Sequence, residues 1–274
     1  MMHVFIPSYD RADLITTHKQ IPIAWKKKTF IVARKQQVKA YKKANPGWNI
    51  LPCPDKGISM TRQWILDNCK AKYAMMIDDD MQFGIRDGKK LKNCTRTQVG
   101  ELFSLLERWL RIGFVHVGVS QRFGNNRIEE PFVEVTRMNN AYAYNCEVMR
   151  KLKKEHGIGF HWLEEQNPEA TVMEDFAVTL NLFKLGYKNR VTYNFCWSQK
   201  MSGMDGGCSS YRTYDAQKTS AFEIAKHFPN IAIPVKKEAK VEWKGIGFKR
   251  WDLRIMWKKA YEQRETKSIR RFLK

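Results

Sequence analysis

The stretch Ala74-Met75-Met76-Ile77-Asp78-Asp79-Asp80-Met81-Gln82-Phe83 constrains this chain more than any other. An apolar run of strand length stops abruptly at three consecutive carboxylates. Such a run reads as a fully buried strand of a parallel or mixed sheet and is too short for a helix. In open α/β sheets, ligands bind just beyond the carboxyl ends of the strands. Three like charges there repel one another unless a cation neutralises them. Side chains of an extended chain alternate, so Asp78 and Asp80 are expected on one side, as a ligand pair for Mg²⁺ or Mn²⁺. The plainer alternative is a solvated acidic turn.

The 274 residues are enough for one large α/β domain, and 43% hydrophobic content with 12% aromatics describes a globular chain. The unusual total is a formal net charge of +21. An excess of that size says little about fold and much about partners, which should be polyanions and most often nucleic acid. No window has the length of a membrane span, and the Met1-to-Pro7 start lacks the basic and apolar regions of a signal peptide. The cysteines, at 53, 69, 94, 146, 196 and 208, form no C-x-x-C pair. Neither a zinc site nor a disulfide framework is indicated, and the expectation is a cytoplasmic protein with reduced thiols.

Read in order, the chain alternates strand and helix. Residues 3–7 make a first strand, ending in the loop Ser8-Tyr9-Asp10-Arg11, and a short helix covers 13–20. A second strand, 29–33, ends at Arg34, and a basic helix around Lys39 to Lys43 stops at Asn45-Pro46-Gly47. After a third strand at 49–52, Gly57-Ile58-Ser59 opens a helix with Ser59 as N-cap. Together with the strand at 73–77, this pattern predicts a parallel, doubly wound sheet. Its strand-end loops gather Ser8, Arg11, Arg34, Ser59, Arg62 and the aspartates on one edge. Arginines and a helix N-terminus there suit a phosphorylated ligand, although each arginine alone could be an ordinary surface charge.

Further on, 87–93 reads as a charged loop and 96–112 as an amphipathic helix. Strands are expected at 113–119, 132–136, 141–144 and 189–195, with a polar loop over 121–130 that could face an acceptor. Thr171 and Glu174 have the spacing of a capping box, with Glu174 folding back onto the N-cap amide of a helix that ends before Gly186. Asp175 has no such structural duty, so it is the better catalytic candidate. The glycine-rich stretch 200–212 is either a connector or a lid. From 236 to 274, fourteen Lys or Arg stand against five Asp or Glu, a net of +9, with Trp243, Phe248, Trp251, Trp257, Tyr261 and Phe272 interleaved. Basic and aromatic residues together suit phosphate contact and base stacking. The alternative is a helix at about 249–265 packing Trp251, Ile255 and Tyr261 inward. The expected organisation is one domain, 1–235, with a basic extension, 236–274.

The order Ile6-Pro7-Ser8-Tyr9-x-Arg11, Gly57-Ile58-Ser59-x-x-Arg62, Asp78-Asp79-Asp80 and then Glu174-Asp175 resembles that of GT-A-fold glycosyltransferases over residues 3–195. Within that fold the chain is most similar to phage and base J-type enzymes that glycosylate hydroxymethylated pyrimidines in DNA, a narrower likeness carried mainly by charge. The resemblance implies a Rossmann-like, mostly parallel sheet flanked by helices, with the basic extension helical. It implies a UDP-hexose, such as UDP-glucose, lying across the strand ends against Ser8, Arg11, Arg34, Ser59, Arg62, Asp78 and Asp79. Mn²⁺ or Mg²⁺ would be held by Asp80 and Asp78. Asp175 would be the general base of an inverting transfer to DNA, with no membrane and no protein partner. No third metal ligand follows Asp175, and the Gln-x-x-Arg-Trp motif of polysaccharide synthases is missing. Three other readings compete: a metal-dependent nuclease or nucleotidyltransferase, a non-catalytic nucleic-acid-binding module, and a glycosyltransferase with a glycan acceptor.

Overall fold

The computed structural model describes residues 1–199, 213–243 and 247–264, and only the backbone of 239–243, 247 and 248. The glycine-rich stretch 200–212, and Phe272 in the tail, lie outside the described residues, as do the side chains of Trp243 and Phe248.

The first half of the chain is built as its alternation predicts. β1 (Met2–Pro7) is followed by α1 (Ile23–Lys26), β2 (Thr29–Arg34), α2 (Val38–Ala44), β3 (Asn49–Cys53), α3 (Ile58–Asn68) and β4 (Tyr73–Ile77). These four strands pair in parallel in the order β3-β2-β1-β4. The helix expected over 13–20 shrinks to a single 3₁₀ turn at Thr17–Gln20. Its backbone is instead tied to the acidic triplet, with the amides of Thr16 and Thr17 donating to the Asp79 carbonyl.

β5 (Met81–Asp87) and β6 (Lys90–Asn93) form a hairpin where a loop was expected over 87–93. α4 (Arg96–Arg111) follows, opened by a capping box between Thr95 and Gln98. Then come β7 (His116–Gln121), β8 (Phe132–Glu134), β9 (Ala141–Asn145), α5 (Cys146–His156), α6 (Trp162–Gln166), α7 (Glu174–Lys184) and β10 (Arg190–Gln199). The sheet extends from β4 through β9, β7, β10 and β5 to β6, with β8 on β10. β9 is antiparallel to both β4 and β7, whereas β7 and β10 are parallel. The carboxyl ends of β1, β2, β3, β4, β7 and β10 therefore share one edge.

The strands alternate as buried strands must. Val4, Ile6, Met75 and Ile77 face a core closed by Tyr41 and by Leu102, Phe103 and Leu106 of α4. Phe5, Ala74, Met76, Tyr142 and Tyr144 face a second core closed by α3, α5 and α7. α7 ends in a Schellman motif, in which the amides of Gly186 and Tyr187 donate to the carbonyls of Phe183 and Leu182. Gly186 takes the left-handed φ of +86° that this geometry requires, as its sequence position predicts.

The chain closes with α8 (Tyr214–His227), β11 (Ala232–Trp243), β12 (Gly247–Ile255) and α9 (Trp257–Glu262). The helix expected at 249–265 is thus strand up to Ile255 and helical only from Trp257 to Glu262. β11 and β12 form a hairpin that runs through position 235, and only the short α9 is helical. A third core joins the outer side of α7 to α8, the hairpin and α9, through Phe176, Phe183, Ile224, Leu253 and Ala260.

Candidate active site

The acidic triplet is the turn between β4 and β5, so its residues do not alternate along an extended chain. Each carboxylate has its own partners. Asp79 is only 6% exposed, accepting from the Ser8 hydroxyl and from Arg11 Nη1 at 3.2 Å. Asp80 faces the same Arg11 nitrogen at 3.4 Å. Asp78 accepts from Arg62 Nη2 at 2.8 Å and from Asn140 Nδ2 at 2.7 Å. Thr17 locks the turn, donating from its hydroxyl to the Asp78 carbonyl while accepting from the Met81 amide.

Burial pushes the Asp79 carboxyl up to about 6, against the pull of Ser8 and Arg11. Burial and then the Asp78 charge raise that of Asp80. Three carboxylates share two arginines, Arg11 and Arg62, so the turn carries more negative charge than its arginines offset. Asp78 and Asp80 are the more exposed members, with side chains 25% and 20% open. Hard oxygen donors short of positive charge fit a divalent cation. Among the described residues no group of three His, Cys, Asp or Glu forms a ready cage. The remaining ligands of such an ion would be substrate and water.

Arg62 has a different place from the one its motif suggests. The residue is 7% exposed, and its guanidinium is shared between Asp78 and Glu174 of α7. It bridges the acidic turn to the start of that helix and is not turned outward to a phosphate. Glu174, 5% exposed, serves this pair and not a capping box. The N-cap of α7 is Met173, in the left-handed region at φ +67°, with no side-chain cap. Asp175, the second residue of α7, is half-buried at the first turn. Burial pushes its carboxyl up to about 7, with the Glu174 charge adding and Arg62 and Arg137 opposing. A carboxylate with that proton affinity beside a helix N-terminus is suited to take a proton near neutral pH.

The other candidates take their places around this centre. Ser8 sits between Asp79 and the Tyr41 hydroxyl, 2.8 Å away. Arg34 lies at the rim, paired with Asp55 at 2.6 Å and stacked 3.5 Å over the Tyr9 ring. Ser59 is not the N-cap of α3, a position that Gly57 holds; it is buried one residue inside the helix, beside Glu164 of α6. Sequence reasoning missed Asn140, which joins Asp78 to Gln199 Oε1 at 2.9 Å, and Arg137. A local cue existed in Met138-Asn139-Asn140, where Asn tolerates the left-handed region that Asn140 adopts at φ +60°. Among the described residues, three of the five non-glycine residues with positive φ, namely Asp10, Asn140 and Met173, adjoin or contact site residues. Backbone strain of this kind concentrates at functional sites.

A family model described as TET-Associated Glycosyltransferase matches residues 2–207. No curated protein matches the chain. Among solved structures, one described as a mycobacterial protein is 10% identical, with a TM-score of 0.50 over 93% of this chain and 84% of that one. Glucosyl-3-phosphoglycerate synthase from Mycobacterium tuberculosis, solved with Mg²⁺ and uridine diphosphate, is 10% identical, with a TM-score of 0.49 over 93% and 86%. The same enzyme with Mn²⁺, uridine diphosphate and its product gives 12% and 0.48 over 86% and 84%. The mostly parallel sheet with its flanking helices is the GT-A fold. With three carboxylates at the edge of that sheet and residues 2–207 of 274 inside the family model, the chain belongs to the TET-associated glycosyltransferases.

Proposed function

We propose that this glycosyltransferase moves a hexose from a UDP-sugar to the hydroxyl of a hydroxymethylated pyrimidine in DNA, with inversion. The observation that carries the reading is the Asp78–Arg62–Glu174 chain, which ties the acidic turn to the start of α7, where burial raises the proton affinity of Asp175. The donor would lie across the ends of β1 and β4, with Arg11 and Arg34 toward its nucleotide and phosphates. Asp78 and Asp80 would hold Mn²⁺ or Mg²⁺. When bound, that ion neutralises charge on the departing diphosphate.

Asp175 takes the proton from the acceptor hydroxyl as its oxygen bonds to the sugar's anomeric carbon. The bond from that carbon to the diphosphate breaks, and UDP leaves with the electron pair. A base of this kind contributes about 10²–10⁴-fold. A single displacement from the acceptor side inverts the anomeric centre. The net charge of +21 supports a polyanionic acceptor.

The test is incubation of the protein with Mn²⁺, UDP-glucose and oligonucleotides carrying 5-hydroxymethylcytosine or 5-hydroxymethyluracil, followed by mass spectrometry of the nucleosides. A hexose mass on the modified nucleoside is expected. Unmodified nucleosides across a panel of nucleotide sugars would overturn the acceptor assignment.

A further inference from the structure

One open cavity lies on the same sheet edge, beyond the ends of β7 and β10. It encloses about 590 Å³ and is lined by Leu91, Arg122, Phe123, Asn126 and Gln199. Gln199 connects it to the acidic turn, because Asn140 donates to both Gln199 and Asp78. The cavity therefore begins two hydrogen bonds away from a carboxylate of the reaction centre.

Phe123 is its most unusual wall. The ring is 78% exposed, yet the loop presenting it is held rigidly. The buried Asn125 side chain donates to the Ser120 hydroxyl at 2.6 Å and to the Tyr193 carbonyl at 3.0 Å. Arg86 donates to the carbonyls of Asn125, Ile128 and Glu129, and Arg122 to the Leu91 carbonyl and the Asn93 side-chain Oδ1. A mobile loop could tuck a phenylalanine away, whereas this one is fixed with its ring in water. Arg127 lies 5.8 Å from the ring centroid. The remaining lining supplies the side-chain amides of Gln121, Asn126 and Gln199. On β6, Leu91 faces the cavity, and Arg122 adds a guanidinium to its lining.

A flat ring face, amides at its edge and cations around the mouth are together what a nucleobase on a phosphate backbone needs. Bases stack on aromatic side chains, Asn and Gln match donor–acceptor base edges, and Lys and Arg meet phosphates. Enzymes that act on a base in duplex DNA extrude it into a pocket. We infer that this cavity receives the extruded pyrimidine of the acceptor strand, stacked on Phe123 and read at its edge by Asn126 and Gln121. The inference rests on the DNA acceptor proposed above and assigns it a place. Arg127, beside the ring, then meets a flanking phosphate.

The test compares the wild type with Phe123→Ala, Phe123→Trp and Asn126→Ala. It measures transfer to an oligonucleotide with one hydroxymethylated pyrimidine, and binding of the same oligonucleotide by fluorescence anisotropy. Phe123 is exposed, so thermal melting of the variants should match the wild type. Phe123→Ala should raise both KM and Kd for the oligonucleotide by about 5- to 150-fold, the value of one base stack. Phe123→Trp should restore them, and Asn126→Ala should change the preference between modified bases. Active wild type with KM and Kd unmoved by Phe123→Ala overturns the subsite and leaves the DNA reaction standing. Wild type that binds but transfers nothing, with binding weakened by Phe123→Ala, upholds the subsite and overturns the acceptor chemistry. Transfer to a neutral glycan through the same phenylalanine, without DNA binding, overturns both.

Discussion

Arg62 is the residue whose loss should reach furthest. Arg62→Leu would leave Glu174 and Asp78 without their shared cation, and breaking a buried ion pair costs about 3–5 kcal/mol. Urea unfolding at pH 7 should show that loss. Asp175→Asn should lower transfer about 10²–10⁴-fold while raising the melting temperature at pH 8. The sign follows from its raised proton affinity. Between about 4 and 7 the folded state keeps a proton that the unfolded chain has released, so wild-type stability falls as pH rises through that window. The thermal gain of Asp175→Asn should shrink as pH is lowered toward 4, and wild-type transfer should rise with pH through about 7. Asp78, Asp79 and Asp80 were legible in the sequence because the boundary between apolar run and acid is local. The role of Glu174 was not: its partner Arg62 lies 112 positions away, while a capping partner stood three residues off.

At the scale of elements, the four parallel strands were legible because each is an apolar run bounded by turn residues. The hairpin of β5 and β6 was obscured by its lysines, which protect an edge strand from pairing with another chain and also mimic a loop. The C-terminal hairpin was misread through its period. Trp251 and Ile255 have helical spacing, but Leu253 between them completes an alternation with Asp252 and Arg254. The period of two wins because β12 pairs with β11 and lays Leu253 against α8 and α7. Gly84 shows how closely β5 is held. A Cβ there would come 2.9 Å from the Cys196 sulfur on β10 and 2.9 Å from the Lys92 carbonyl on β6. Backbone on the β6 side cannot yield as a flexible side chain can, so Gly84→Ala should cost about 1–3 kcal/mol, measurable by thermal unfolding.

For the whole molecule, charge is the property that decides behaviour in solution. With +21 on 274 residues, oligonucleotide affinity should fall steeply with salt, by about 10³–10⁵ between 50 and 200 mM for six to ten phosphate contacts. Titrations over that range would check it, and a flat response would speak against a phosphate-dominated interface. Among the described residues no helix is long and apolar enough to cross a membrane. The order of strands in the sheet also bears on how the chain reaches its native state. β5 follows the acidic turn directly, yet its antiparallel neighbour β10 pairs Cys196 with Gly84, 112 positions away. The parallel quartet can assemble from the first eighty residues, but one flank of the turn closes only when β10 arrives. Long-range pairing of this kind is slow and leaves strand edges open in the interim. During synthesis the enzyme therefore acquires its parallel quartet early and closes the acidic turn only after β10 has emerged.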